Sequence, residues 1–414
     1  MNTRVEITAP GVMVTVQDLG RSGWRRFGVP LAGALDSGLL RIANRLAGNA
    51  DGSPALEFFL LGPHFLAIDA AVRLAFAGDF SVTLLHAGER RVLASWHSVT
   101  LQPGDALQVG ALRSGRIGYI ALAGLAVAPV LGSASTYARA RLGGIGGRAL
   151  AAGDRLTVAA VAAGPLGGAP AARLFGAAPA ERGFSGTPTE RGVAGAPAER
   201  GVGGAPVDLG FGGAAAEGRV GVAAAEGGPG RASVERVLRS PPAASDGPIR
   251  VVLGPQDDHF DAAALAVFFG AAYRLSRDAD RMGLRLEGPP LRHRPDKGAE
   301  IVSDAAVPGS IQVPGNGQPI VLLADGQTAG GYPKIATVAS ADLARLASAP
   351  VGTVLHFVAV TVAQAETLAR AHEAALLRHL AAIAPLTLVD GIDLTALYDS
   401  NLVSAMIDAL QPPG

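Results

Sequence analysis

The chain has 414 residues, with Lys+Arg and Asp+Glu balanced at 35 each, so neither nucleic acid nor an anionic membrane is the expected partner. Cys is absent, which excludes disulfides, thiolate metal sites and a cysteine nucleophile, and fits a reducing, cytoplasmic setting. The length allows two domains with real cores, no signal-like apolar stretch opens the chain, and its longest apolar run, 262–273, is too short to span a bilayer.

Residues 3–16 alternate in the manner of β-structure, broken by a Pro10-Gly11 turn. Asp36 reads as the N-cap of a helix carrying Leu39, Ile42, Ala43 and Leu46, which Gly48-Asn49 ends. Short strand-like segments follow at 65–68, 72–76, 81–85, 99–101 and 117–122, separated by Gly and Pro turns. Many short strands with few helices predict a β-barrel or closed sandwich that closes near residue 160. The Gly143–Gly147 cluster is not followed by Lys-Ser/Thr and reads as a tight barrel turn, not a phosphate loop.

Residues 161–247 differ in kind. Pro179, Pro188, Pro197 and Pro206 recur every nine residues, with Glu181, Glu190, Glu199 and Asp208 in register behind them. Large apolar residues are too few there for a solenoid core, so the expectation is a disordered Gly/Ala/Pro linker, dispensable for chemistry.

A second domain, 248–360, opens with a strand at 249–253. Asp257 or Asp258 is expected to cap a short helix reaching about Phe268, and 273–288, with Arg277, Arg281 and Arg285, is expected to be extended or looped. Ser340 is expected to cap a helix carrying Leu343 and Leu346, ahead of a last core strand at 354–358. Leu368, Ala375, Leu376, Leu380 and Ile383 form the apolar stripe of a helix at 361–383, the first part of a C-terminal helix and tail, 361–414.

The least generic composition lies at 303–343. Two strand-like runs, 310–313 and 320–323, flank a Pro314-Gly315-Asn316-Gly317 turn. Asp325, Gln327, Thr328, Tyr332 and Lys334 then place a carboxylate, an amide, a hydroxyl, a phenol and an ammonium within ten residues, among glycines that let backbone approach a ligand. An ordinary polar hairpin end accounts for the same composition. No GxSxG elbow, HExxH or P-loop occurs. His372 and His379 share a helix face that reads as solvated rather than metal-binding, and His64 and His259 sit beside turns. No metal site is expected.

Several blocks resemble the biotin-dependent carboxyltransferase C/D family, also called allophanate hydrolase subunit 2. They are TVQDLGRSGWRRFGVPLAGALD (15–36), ANRLAGN (43–49), ALE (55–57), GSASTYARARLGGIGGRALAAGD (132–154), GPQDDHF (254–260), DRMGLRLEGP (280–289) and the 303–343 stretch. The resemblance implies a mainly β fold of two cyclophilin-like β-barrel domains with a few short helices. It implies ATP-dependent opening of 5-oxoproline to glutamate in a 5-oxoprolinase complex with subunits A and B, the ATP site not being located in this chain. The related alternative is carboxyl transfer to the nitrogen of urea or another small amide, with biotin carried on a partner chain. A third is a regulatory binding protein that antagonises a kinase inhibitor. In the site that the resemblance implies, Arg281 or Lys334 supplies positive charge and Asp325 or Asp18 accepts the proton. Gln312, Gln327 and Thr328 orient the amide, and Arg21, Asn44, Ser303 and Tyr332 complete the substrate-binding set.

Overall fold

The computed structural model describes residues 2–161, 235–243 and 245–386, with two further short strands, Leu388–Val389 and Ile392–Asp393. The nonapeptide repeats and most of the C-terminal tail lie outside the described residues.

The first half is built from β1 (Asn2–Ala9), β2 (Thr15–Gln17), β3 (Ala55–Phe59), β4 (His64–Ala67), β5 (Val72–Ala77) and β6 (Phe80–His86). It continues through β7 (Glu89–Ala94), β8 (Ser98–Leu101), β9 (Ala106–Leu112), β10 (Ile117–Leu122) and β11 (Arg155–Ala159). They pair antiparallel in two sheets, ordered β11-β1-β4-β9-β6-β7 and β2-β3-β10-β5-β8. Val5, Ile7, Leu56, Phe58, Phe76 and Phe80 fill the space enclosed, with Phe58 and Phe80 edge to face at 5.2 Å. The Gly143–Gly147 cluster is a tight turn, in which Gly147 N donates to Gly143 O at 2.9 Å.

The described residues resume at 235, ahead of the expected boundary at 248. Leu238 is buried and its N–H bonds Trp96 O, so β12 (Arg236–Val237) already belongs to the fold. Then come β13 (Ile249–Leu253), β14 (Tyr273–Ala279), β15 (Gly283–Glu287), β16 (Asp304–Ala305), β17 (Ser310–Gln312), β18 (Ile320–Leu322) and β19 (Ala329–Gly330). β20 (Lys334–Val338), β21 (Val354–Leu355), β22 (Phe357–Ala359) and β23 (Ala384–Pro385) complete the second half. Its main sheet, β21-β14-β15-β18-β17-β20-β13-β22, is nearly a closed barrel, and β12 pairs with β23. The protein is thus mainly β, in two barrel-like halves within one compact unit.

Among the described residues, four α-helices sit among these strands: α1 (Ser37–Ala47), α2 (Ala262–Gly270), α3 (Ser340–Ser348) and α4 (Val362–Ala381). Asp36 caps α1 through Leu39 N at 2.9 Å, and Gly48, at φ +90°, ends it. Two expected caps move. Asp261, not Asp257 or Asp258, caps α2, because residues 257–259 close a separate 3-10 turn first. Ser340 is the first residue of α3 and does not cap it; Ala339 precedes the helix with no side-chain cap. Leu40, Ile42 and Leu46 of α1 share one core with Val251, Leu275, Ile311, Ile335, Leu346 and Leu376, so the halves are joined by apolar burial.

Thr361 and Gln364 form a reciprocal capping box at the start of α4. Thr361→Ala is expected to lower stability by about 1 kcal/mol in urea unfolding. A loss below about 0.3 kcal/mol would show that the cap is idle.

Candidate functional site

The β14–β15 turn is fixed by Asp280, whose Oδ1 accepts from Met282 N and Gly283 N at 2.7 and 3.2 Å. That turn sends Arg281 into the seam between the halves, where it is only 6% exposed. Its Nε and Nη2 each meet a carboxylate oxygen of Asp325 at 3.0 Å, and Nη2 also donates to Gly33 O at 2.6 Å. Its Nη1 donates to Glu57, a fully buried residue of β3. The other oxygen of Glu57 accepts from Leu35 N at 2.9 Å and from the Tyr119 hydroxyl. Across the same seam Ala32 N donates to Ala324 O at 2.9 Å, and Arg25 donates to Ala306 O.

One buried cation therefore lies between two buried carboxylates. Burial alone would lower the Arg281 pKa, and Glu57 and Asp325 more than reverse this, holding it above its ordinary value. Burial raises the Asp325 carboxyl, and Arg281 offsets this only in part, so it stays above the usual carboxylate range. Burial, then Glu57 and Asp36, push the Tyr119 phenol well above its ordinary value.

A second polar group lies on the barrel of the second half. The β17–β20 register sets Gln312 opposite Lys334. Lys334 is 2% exposed, and its Nζ stands 3.1 Å from Asp304 Oδ2, outside hydrogen-bond geometry. Gln256 braces both partners, donating to Asp304 Oδ2 at 3.1 Å and accepting from Lys334 N at 3.2 Å. Gln312 is 1% exposed; its oxygen accepts from Gln327 Nε2 at 2.9 Å, and its own Nε2 has no acceptor. Pairing of β16 with β19 brings Asp304 opposite Gly330, and Ser303 and Tyr332 are exposed beside this strand pair. Thr328 is half-buried, and its carbonyl accepts from Ala306 N at 3.0 Å.

A Cβ on Gly330 would collide with Gln312 Nε2, so the amide keeps its place only beside glycine. Gly330→Ala is expected to leave the melting temperature nearly unchanged and to lower turnover of the assembled protein about tenfold or more. Unchanged turnover would remove the Gln312 amide from the site.

The structure separates two of the expected site residues from this group. Asp18 accepts from Gly20 N, Ala134 N, Ser133 Oγ and Ser135 Oγ at 2.5–2.7 Å. It is saturated as a loop clamp, with its lone pairs committed to the protein rather than to a ligand. Asn44 donates to Asp51 O and Ser53 O and accepts from Asn49, so it holds the loop after α1. Arg21 is buried, with Nη2 on Ser135 O and Nε and Nη1 without acceptors. Burial lowers its pKa, and Asp18 and Asp325 oppose that shift, which places its charge within range of both carboxylates.

Sequence reasoning missed Glu57, Asp304 and Gln256 as parts of the site. A lone carboxylate in the apolar run ALEFFLL was the available signal for Glu57.

A cleft of about 950 Å³ lies elsewhere, among α1, α3 and α4. Asp36, Trp96, Arg345, His372 and His379 line it, and none of the expected site residues does. The chemistry is therefore assigned from the two polar groups, not from this cleft. In the glycine cluster, Gly144 N donates to Ala134 O and Gly147 N to Gly143 O, both at 2.9 Å. Among the described residues no helix is long and apolar enough to cross a membrane, and no group of three His, Asp or Glu could hold a metal ion.

A family model described as carboxyltransferase domain, subdomain A and B, matches residues 27–191 and 198–359. The C subunit of 5-oxoprolinase from Escherichia coli (strain K12) is 31% identical over 368 residues, covering 87% of this chain and 93% of that protein. The solved structure of TTHA0988 is 30% identical with a TM-score of 0.60, over 86% of this chain and 55% of that one. The K. lactis urea amidolyase structure is 26% identical with a TM-score of 0.65, over 91% of this chain and 20% of that one. The chain thus spans about half of the TTHA0988 chain and a fifth of the urea amidolyase.

Proposed function

This chain belongs to the carboxyltransferase-domain family, and we propose that it acts as the C component of an ATP-dependent 5-oxoprolinase, with partner subunits A and B. The observation that carries this reading is a likeness to the C subunit of 5-oxoprolinase that runs over nearly the full length of both proteins. The site chemistry agrees with it. A cyclic amide needs donors to hold and polarise it and a base near its reacting proton.

Gln312 and Lys334 lie opposite one another on β17 and β20 beside Gly330, and Gln327, on the loop before β19 and bonded to Gln312, supplies the amide donor next to them. Asp325, raised by burial, is the proton acceptor, and Arg281 fixes its two oxygens in place. Ring opening breaks the amide C–N bond, joins a water oxygen to the carbonyl carbon and delivers a proton to nitrogen. ATP supplies driving force to the complex, and no residue described here is assigned to hold it.

The test is ATP-dependent glutamate release from 5-oxo-L-proline by this chain with and without co-expressed subunits A and B. Release only in the three-part mixture supports the reading. Release by A and B alone, unchanged by this chain, overturns it. The likeness to urea amidolyase favours a second reading, carboxyl transfer to an amide nitrogen with biotin on a partner chain. Inhibition of turnover by avidin separates the two.

A further inference from the structure

Two of the most deeply buried polar side chains in the second half, Lys334 and Gln312, are opposite one another; the Lys334 ammonium meets only the half-exposed Asp304, and Gln312 Nε2 has no acceptor. A buried ammonium ordinarily faces a buried, well-aligned carboxylate, because its desolvation is otherwise uncompensated. Arg281 meets that requirement: both of its carboxylates are buried, and one is gripped through two parallel bonds.

Lys334 does not. The carboxylate nearest to it belongs to Asp304, which is 49% exposed and stands 3.1 Å away at the edge of the barrel. Asp304 lies on a strand of only two residues and is shared with Gln256. Beside the pair, Gly330 removes the Cβ that would cover Gln312 Nε2, and Gln327 holds the Gln312 oxygen so that its NH2 points away.

We infer that Lys334 Nζ and Gln312 Nε2 form a carboxylate-binding subsite, for which the Asp304 side chain competes with the ligand. An ammonium and an amide NH2 side by side match the two oxygens of a carboxylate, whereas a neutral carbonyl would leave the ammonium charge unmatched. The ligand class is a small monocarboxylate that also carries an amide, its amide end reaching Gln327. A ligand carboxylate that reaches Lys334 displaces a partner held in solvent, so the exchange costs less than breaking a buried ion pair. Asp304 thereby sets affinity without being part of the chemistry. The inference rests on the proposed function only in the choice of probe.

The test is calorimetric titration of the full chain, alone and assembled with its partners, with 5-oxo-L-proline and with 2-pyrrolidinone, the same ring without the carboxylate. The expected result is binding of 5-oxo-L-proline at least tenfold tighter than 2-pyrrolidinone. Asp304→Asn should tighten 5-oxo-L-proline about three- to tenfold and leave 2-pyrrolidinone unchanged, because only a carboxylate ligand competes with Asp304. Lys334→Met should abolish the preference for the acid. If Lys334→Met fails to fold, Asp304→Asn, on an exposed strand, decides alone. Equal affinity for the two rings, or an Asp304→Asn variant that binds 5-oxo-L-proline no more tightly than the native chain, overturns the inference. Binding with this pattern but no glutamate release from the complete complex would overturn the proposed function and leave the subsite standing.

Discussion

Arg281→Met is expected to destabilise the protein by about 3–5 kcal/mol, the cost of removing one partner from a buried ion cluster. Met fills much of the same volume, so the loss is electrostatic rather than a cavity. Glu57 and Asp325 would be left buried without a cation, and Gly33 O would lose its donor. The Asp325 carboxyl, already raised by burial, would then be driven further towards its protonated form. Unfolding should become less costly as pH rises through its raised pKa, because the unfolded chain ionises it freely. Urea unfolding of the native chain and the variant at several pH values reads both effects. Adding Glu57→Gln and Asp325→Asn to Arg281→Met should recover much of the loss, since the uncompensated charges go with the cation. A single variant within about 1 kcal/mol of the native chain would show that the cluster contributes little.

Asp325→Asn is expected to lower turnover of the assembled complex about a hundredfold or more while costing less stability than Arg281→Met. The amide keeps the shape of the carboxyl and still accepts from Arg281, and Glu57 still neutralises the guanidinium. What disappears is the ability to take a proton. Because burial raises the Asp325 carboxyl, the acid limb of the native pH profile should lie above the ordinary aspartate value of about 4 and vanish in the variant. The groups that set this limb are Arg281, which lowers the carboxyl, and Glu57 and Asp280, which raise it; the Arg21 charge also interacts with it. Turnover within about threefold of native, with the fold intact, would remove Asp325 from the base role and leave it as a structural partner of Arg281.

Local features were legible in the sequence and distant pairings were not. The Asp36 cap, the Gly48 stop, the Gly143–Gly147 turn and the paired runs around Pro314–Gly317 each follow from neighbours in the chain, and the structure has them where the sequence places them. The hairpin of Arg281 was legible only as extended chain, because its partner strand depends on the whole sheet. Asp18 looked available because its partners, Ser133 and Ser135, lie 115 and 117 residues away. Glu57 looked like part of a block without a role, since it meets Arg281 across 224 residues. Asp304 was passed over beside Ser303, because only the β16–β19 pairing reveals that it faces the buried ammonium. Composition marks where polar groups gather; the register decides which of them meet.

The bonds that tie the halves together have a genetic consequence. Arg281 to Glu57, Ala32 to Ala324, Arg25 to Ala306 and Arg116 to Ala347 all join residues that lie on opposite sides of 162–234 in the sequence. The shared core does the same. Much of the mutual recognition of the two halves is therefore written into their own surfaces, so a gene broken between them is expected to encode two products that carry matching faces.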